Sequence, residues 1–171
     1  KDYLNKAASV YDGGQHIAHL ASHFKDTHEP INGHSVFHAW LSRWLVGAVS
    51  RAFSQTENAM LVLDGKQGLG KSLFAQWLAS DIKELFVEAP IRTEDKDDSV
   101  RVLRTFIWEV AELGATINKA DVEALKFFLT RHFVDVRQAY GRHSVKKPVL
   151  ASYIGTVNGE AGFLNDATGS R

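Results

Sequence analysis

Apolar residues recur along the chain in two periods, and the changes between these periods predict the secondary structure. A repeat of three and four residues predicts an amphipathic helix over 35–53, with Ser35 as its N-cap. The apolar positions of this helix are Phe37, Trp40, Leu41, Trp44 and Ala48. We expect both of its tryptophans to lie in the core rather than to form a stacking platform.

After this helix, short apolar runs alternate with helical stretches. Four runs are typical of buried strands: 59–64, 84–88, 105–113 and 149–158. Helical patterns cover 71–82 and 118–133, and the charged segment 92–105 ends in a helix. Such alternation predicts an α/β fold with a mostly parallel sheet and flanking helices. Leu73, Trp77 and Leu78 are expected to face inward, as are Val122, Leu125 and Leu129 of the helix capped by Asn118.

Residues 1–34 form a polar segment that could be helical, and the α/β core occupies 35–171. His16, His19 and His23 would share one face of such a helix. We favour a solvated polar face over a metal site, because no carboxylate or cysteine spacing completes a known ligand set.

Composition limits the classes of partner. Twenty basic residues balance twenty acidic ones, so a nucleic-acid surface must be local. The absence of cysteine excludes disulfides and cysteine-bound zinc, and it fits a reducing compartment. No apolar run approaches the ~20 residues that a membrane span needs. We therefore expect no membrane partner.

A glycine-rich stretch, Gly65-x-x-x-x-Gly70-Lys71-Ser72, stands between the first strand and the next helix. This pattern in this context predicts a P-loop. Glycines let successive N–H groups turn toward one anion, and the following helix directs its positive end at the same point. The predicted phosphate cradle consists of Gly65, Lys66, Gln67, Gly68, Leu69, Gly70, Lys71 and Ser72. We favour it over a structural turn with a surface lysine because motif and context agree.

A P-loop also needs an acid that holds Mg²⁺ at the end of another strand. The run 105–113 supplies Glu109, which we assign to the metal together with Ser72, and Glu112, which we assign to the attacking water. The two roles could be exchanged, and both acids could instead be solvated at a strand end. Asn158 follows the fourth strand, where it would either position the attacking water or belong to a turn with Gly159.

A basic segment over 131–148 joins the last helix to the fourth strand. It has five cations against one acid, with Tyr140 between them; the cations are Arg131, Arg137, Arg142, Lys146 and Lys147. Cations for phosphates and an aromatic ring for stacking are typical of single-strand nucleic-acid contacts. A solvated basic hairpin has the same composition, so both alternatives stay open.

Four stretches in this order resemble the virulence-associated E family: LDGKQGLGKS, WEVAELGATINKADVEALKFFLTR, DVRQAYGR and GTVNGEAGFLNDATGSR. Members of that family are phage- and plasmid-type ATPases, similar to superfamily-three helicases of the AAA+ class. The resemblance covers residues 35–171. It implies that Gly65–Ser72 is Walker A, that Glu109 and Glu112 are the Walker B acids, and that Asn158 is sensor 1. Arg171 would be an arginine finger or sensor for the γ-phosphate in a neighbouring subunit. The segment around Arg137, Tyr140 and Arg142 would carry the DNA-contacting loops.

The resemblance implies an ATPase that uses ATP and Mg²⁺ to translocate single-stranded DNA through a homo-oligomeric ring, a hexamer, in the cytoplasm of a bacterial or phage-infected cell. The sequence departs from the pattern of the family in two ways. The two acids are three apart rather than adjacent, and the chain ends at Arg171, so we expect a C-terminally truncated core. Two alternatives remain: a P-loop small-molecule kinase with 131–147 as its lid, or a non-catalytic nucleotide-binding assembly module.

Overall fold

Six α-helices and six strands form within the part of the chain that the computed structural model describes. That part comprises residues 1–31, 33, 35–111, 113, 119–137 and 143–159, with backbone alone at 96, 119–121 and 137. The helices are α1 (Asp2–Ser9), α2 (His16–Ala21), α3 (Val36–Ser54), α4 (Lys71–Leu78), α5 (Lys96–Arg101) and α6 (Lys119–Thr130). The strands are β1 (Leu61–Asp64), β2 (Phe86–Glu88), β3 (Ile107–Val110), β4 (Phe133–Arg137), β5 (Ser144–Pro148) and β6 (Ser152–Val157). None of these helices is both long and apolar enough to span a membrane.

Four of the strands form a parallel sheet in the order β1–β6–β3–β2. This confirms the predicted α/β fold with a parallel sheet. The last strand, β6, lies between β1 and β3, so that Asp64 is opposite Val157 and Val110 is opposite Gly155. Because all four strands run the same way, their carboxyl ends meet at one edge, where open α/β sheets bind ligands. We call it the carboxyl edge.

Helices cover both faces of the sheet, and the alternation of side chains decides which residue meets which layer. Ile107 and Ile154 pack into one core cluster with α3 and α4. Their neighbours Trp108 and Tyr153 pack into a second cluster with α6. The same alternation turns Glu109 toward the α4 layer. The sequence period of two therefore fixes the face on which this acid lies.

The N-terminal segment is tied to the start of α3. Ser35 accepts a hydrogen bond from His38 N (3.2 Å), which confirms the predicted N-cap. Asp26 accepts from Phe37 N (2.7 Å), and together with the His28 N–H this donor holds the pKa of Asp26 well below its usual range. Side chains of 17, 20 and 24 also pack against the α3–α4 core cluster. The division of the chain at residue 34 stays a prediction.

Arg51 joins α3 to the far side of the fold. Its buried guanidinium donates to the carbonyl oxygens of Arg131 (2.7 Å), Leu129 (3.3 Å) and Val149 (3.3 Å). Burial lowers the pKa of Arg51, and nearby Tyr153 and Glu57 act against that change. One side chain thus fixes the end of α6 and the entry to β6.

Several predicted orientations were wrong. Trp44 is buried as expected, but Trp40 is 51% exposed, and in α4 Leu73 and Trp77 are 69% and 56% exposed. Phe74 and Ala75 are the buried residues of α4. The wrong orientations in α3 and in α4 have the same cause. The apolar positions of each helix cover more than one face, and contact with the sheet selects the face that is buried.

The predicted helix over 118–133 ends earlier than expected. α6 stops at Thr130, and Phe133 begins an antiparallel hairpin of β4 and β5 that is separate from the main sheet. Leu125 and Leu129 pack on the second core cluster, as the periodicity predicts. The predicted cap, Asn118, lies outside the described residues. The correction follows from residues 134–137, which alternate between apolar and polar and so suit a strand better than a helix.

Tyr153 provides a test of this core. It is fully buried between Trp108 and Phe128, and its hydroxyl has no hydrogen-bond partner among the described residues. Burial raises the pKa of Tyr153 to about 12, with Arg51 and Arg131 acting against the rise.

We expect Tyr153→Phe to change the free energy of unfolding by less than about 1 kcal/mol, because an unpaired hydroxyl contributes little. Tyr153→Ala should lower it by about 3–5 kcal/mol, because it empties a packed site. Urea unfolding of both variants measures the difference. A large loss in the phenylalanine variant would show that the hydroxyl has a partner.

Candidate functional site at the carboxyl edge

The glycine-rich loop joins β1 to α4 and shapes the start of that helix. Gly68 and Gly70 have φ of +84° and +79°, values that side-chain-bearing residues rarely adopt. The first backbone bond of α4 runs from Phe74 N to Gly70 O (2.9 Å). The N–H groups of residues 71–73 therefore have no acceptor within the helix, and its positive end faces the loop. A helix start of this kind can bind an anion.

Lys71 is held at the centre of this loop. Its ammonium donates to Gly65 O (2.7 Å), Lys66 O (2.9 Å) and Asn158 Oδ1 (3.2 Å). These neutral acceptors use all three of its N–H groups. In the described part of the chain, Lys71 forms no ion pair with a carboxylate. Its charge is therefore available to an anionic ligand.

The side chain of Asn158 contacts Lys71, and hydrogen bonds hold the residues on both sides of Asn158 in place. Gly65 N donates to Val157 O (3.3 Å), and Gly159 N donates to Asp64 Oδ1 (2.9 Å). Sequence reasoning missed Asp64. The signal was present, because an acid directly after an apolar run and before the first glycine has the same pattern that drew attention to the third strand.

Glu109 lies on β3 with no exposed surface, and among the described residues neither of its carboxylate oxygens has a hydrogen-bond partner. Burial raises the pKa of Glu109; the Ser72 hydroxyl acts against the rise, and the charge of Glu88 adds to it. A buried carboxylate without a partner is costly. The Ser72 hydroxyl is close enough to act on the pKa but makes no hydrogen bond of good geometry, so among the described residues neither oxygen of this acid is satisfied.

The chemistry of these donors fits a hydrated Mg²⁺. A hydroxyl from Ser72 and a carboxylate from Glu109 are hard oxygen ligands, and Mg²⁺ usually keeps several waters and takes few protein ligands. Within the described residues no three side chains of the His, Cys, Asp and Glu types form a metal-binding group. An ion held by two protein oxygens and water agrees with that finding.

The structure thus brings the loop 65–72, Glu109 and Asn158 together at the carboxyl edge. Lys146 and Lys147 are exposed on β5, away from the main sheet. Glu112, Tyr140, Arg142 and Arg171 lie outside the described residues, and the description of Arg137, at the end of β4, stops at its backbone.

The N-terminal histidines make local contacts. His16 Nε2 lies 2.7 Å from Asp12 Oδ1, and the rings of His19 and His23 meet edge to face at 4.9 Å. His23 lies beyond the end of α2. The three histidines therefore do not continue along one helical face as expected.

The A-form apo structure of the NrS-1 C-terminal region is similar in fold, with a TM-score of 0.52 and 15% sequence identity over 79% of this chain and 37% of that one. A second apo structure of that region has a TM-score of 0.45 and 16% identity, over 71% and 28% of the two chains. This chain thus spans about a third of the length of each of these two solved structures. No curated protein matches it.

A model of the virulence-associated protein E-like domain matches residues 4–171. The match confirms the resemblance found in the sequence, and it also includes most of the polar segment before residue 35. Because it covers nearly the whole chain, the chain belongs to the virulence-associated protein E-like domain family.

Proposed function

We propose that this domain binds ATP with Mg²⁺ and that the protein of which it is part hydrolyses ATP to move along single-stranded DNA. The observation that carries the proposal is the buried carboxylate of Glu109, which has no hydrogen-bond partner in the described part of the chain and lies on the side of the sheet where Ser72 and Lys71 begin α4. An acid, a hydroxyl and an unneutralised ammonium around a helix start form a suitable site for a triphosphate and its metal.

In this proposal, the N–H groups at the start of α4 bind the phosphate oxygens. Lys71 exchanges its carbonyl acceptors for the β- and γ-phosphates, and Ser72 and Glu109 hold Mg²⁺. When bound, the ion would neutralise charge that develops on the transferred phosphoryl group. Lys71 and Ser72 thereby orient the phosphate chain for in-line attack by water.

Asn158 would orient the attacking water, because its side chain already contacts Lys71 (3.2 Å). Glu112 would accept the proton from that water, and Arg171 of a neighbouring copy would contact the γ-phosphate. An arginine supplied in this way contributes about 10³–10⁵ to the rate in other P-loop enzymes. A residue supplied in trans requires a head-to-tail interface, which closes into a ring when the rotation permits. A hexameric ring is accordingly part of the proposal.

The β4–β5 hairpin would contact the DNA. Lys146 and Lys147 are exposed, and Lys146 Nζ lies 4.8 Å from the ring centroid of Phe133, which is 41% exposed. Cations beside an exposed aromatic ring suit a single strand, since the cations bind phosphates and the ring stacks on a base. The proposal extends this surface to Arg137, Tyr140 and Arg142.

The test is the ATPase activity of the full-length protein with and without oligo-dT, at about 50 mM and about 200 mM salt. We expect stimulation by DNA that declines as salt rises. Replacing Lys146 and Lys147 by alanine should reduce the salt slope of DNA binding by about 0.7 for each phosphate that the protein no longer neutralises. Turnover without DNA should not change.

Lys83→Ala is the matched control, because Lys83 is an exposed lysine outside the hairpin. An unchanged salt slope in the double variant would mean that the hairpin is only a solvated surface. Phosphorylation of a nucleoside acceptor without DNA stimulation would favour a small-molecule kinase. Tight ATP binding without turnover would favour an assembly module.

A further inference from the structure

Three contacts beyond the regular sheet hold the exit of β6: one comes from the glycine-rich loop, one from the end of β1 and one from the start of α4. Asp64 and Val157 are the last paired residues of these strands. Past them, Gly65 N donates to Val157 O (3.3 Å), Gly159 N donates to Asp64 Oδ1 (2.9 Å), and Lys71 Nζ donates to Asn158 Oδ1 (3.2 Å). Only the middle contact depends on a side chain that has no role in the proposed function.

We propose that Asp64 is a positioning residue that sets Asn158 against Lys71. The inference rests on the proposed nucleotide-binding role of Lys71. Asn158 follows the last residue of β6, and among the described residues no backbone hydrogen bond fixes it. Its two neighbours do so instead: Val157 is held by the backbone of Gly65, and Gly159 is held by the carboxylate of Asp64.

This role differs from a simple charge effect. The described contacts of Lys71 are two loop carbonyls and Asn158, and Asp64 is not among them. Asp64 therefore acts on Lys71 through Asn158. Its task also requires only an acceptor oxygen, because the donor is a backbone N–H group. Asparagine has such an oxygen and alanine does not, so the two substitutions separate hydrogen bonding from charge.

The geometry gives a specific kinetic expectation. Without the Asp64 hydrogen bond, the backbone of Gly159 is released and Asn158 no longer has a fixed approach to the phosphate lysine. A misplaced group can cost up to ~10² in rate, so we expect Asp64→Ala to lower kcat by about tenfold. The KM for ATP should change by less than about threefold, because Lys71 and the start of α4 still bind the phosphates. Asp64→Asn should retain most of the wild-type kcat.

A double-mutant cycle tests the route of the effect. If Asp64 acts through Asn158, Asp64→Ala should have no further effect on kcat in an Asn158→Ala background. Equal fold losses in both backgrounds would overturn the proposal, because Asp64 would then act independently of Asn158. Asp2→Ala, which removes an exposed acid from α1, is the matched control. The cycle is measured on the full-length protein with oligo-dT.

A second measurement does not depend on activity. Amide hydrogen exchange at Gly159, measured by NMR on the nucleotide-free protein, should be about tenfold faster in Asp64→Ala than in wild type. It should stay slow in Asp64→Asn and in Asn158→Ala. Unchanged exchange in Asp64→Ala would overturn the proposal, as would an asparagine variant that behaves like alanine. If the wild-type protein has no ATPase activity, the proposed function fails, while the exchange data still decide whether Asp64 anchors this turn.

Discussion

Glu109→Gln is expected to lower Mg²⁺-dependent turnover strongly and to make the nucleotide-free protein more stable. The carboxylate is fully buried and, among the described residues, has no hydrogen-bond partner, so its charge destabilises the fold until a cation arrives. Glutamine keeps the shape and removes the charge. We expect turnover to fall by about 10²-fold or more, a reduction typical of removing one electrostatic interaction with the transition state.

We also expect the Glu109 carboxylate to make the free energy of unfolding depend on pH in a definite direction. Its pKa is raised by burial above the ordinary value of 4.5. Below pH 4.5 the Glu109 side chain is protonated in both states, so burial of its charge costs the folded protein nothing. As the pH rises through the raised pKa of the folded state, the free energy of unfolding falls. Urea unfolding of the nucleotide-free protein should show this loss in wild type and not in Glu109→Gln. Thermal unfolding at about pH 8 should give a higher midpoint for the variant.

Glu88→Gln is the matched control. Glu88 is opposite Glu109 in the sheet, but it is exposed and accepts a hydrogen bond from Gln76 (2.9 Å). Its replacement should change both stability and turnover much less. A Glu109→Gln protein that keeps wild-type turnover, or a Glu88→Gln protein that loses it, would contradict the assignment of the metal-binding acid.

Lys71→Ala is expected to reduce turnover by about 10²-fold or more and to weaken binding of the non-hydrolysable analogue AMP-PNP by at least about tenfold. In the described structure Lys71 pairs with no carboxylate, so its removal leaves no uncompensated charge. It contacts two loop carbonyls and Asn158 at a partly exposed position. We therefore expect the variant to fold.

Calorimetric titration with AMP-PNP and an ATPase assay measure the two effects separately. Lys71→Arg keeps the charge but not the compact ammonium, so partial binding with little turnover is expected. Lys83→Ala, at an exposed lysine after α4, should match wild type in both assays. Undiminished ATPase activity in Lys71→Ala would refute the site, and weakened binding in a protein that never turns over ATP would indicate a role in assembly.

Local patterns in the sequence were sufficient for the elements that carry the site. The spacing of Gly65, Gly70 and Lys71 between an apolar run and a helical run predicts a loop that ends in a helix start, because glycine and helix preferences act over a few residues. The alternation of runs predicts the parallel sheet, and the sheet is present. Membership of the virulence-associated protein E-like family was also visible in the order of four motifs, and the family model confirms it.

Contacts between distant parts of the chain decided the rest. The insertion of β6 between β1 and β3 makes Asn158 the neighbour of Lys71, and it joins Asp64 to Gly159 across 95 positions of sequence. Packing against the sheet buries Phe74 and leaves Trp77 exposed. Two strands of the basic segment, β4 and β5, pair antiparallel, and the contact of this segment with DNA stays a prediction.

The physical reason for this division is the range of the interactions. Glycine conformation, helix capping and hydrophobic period depend on neighbouring residues, so the sequence by itself determined the loop, the helices and the strand direction. Strand order, the buried face of each helix and the isolation of the Glu109 carboxylate depend on how two helical layers fill the faces of one sheet. Those features could be decided only by the tertiary structure.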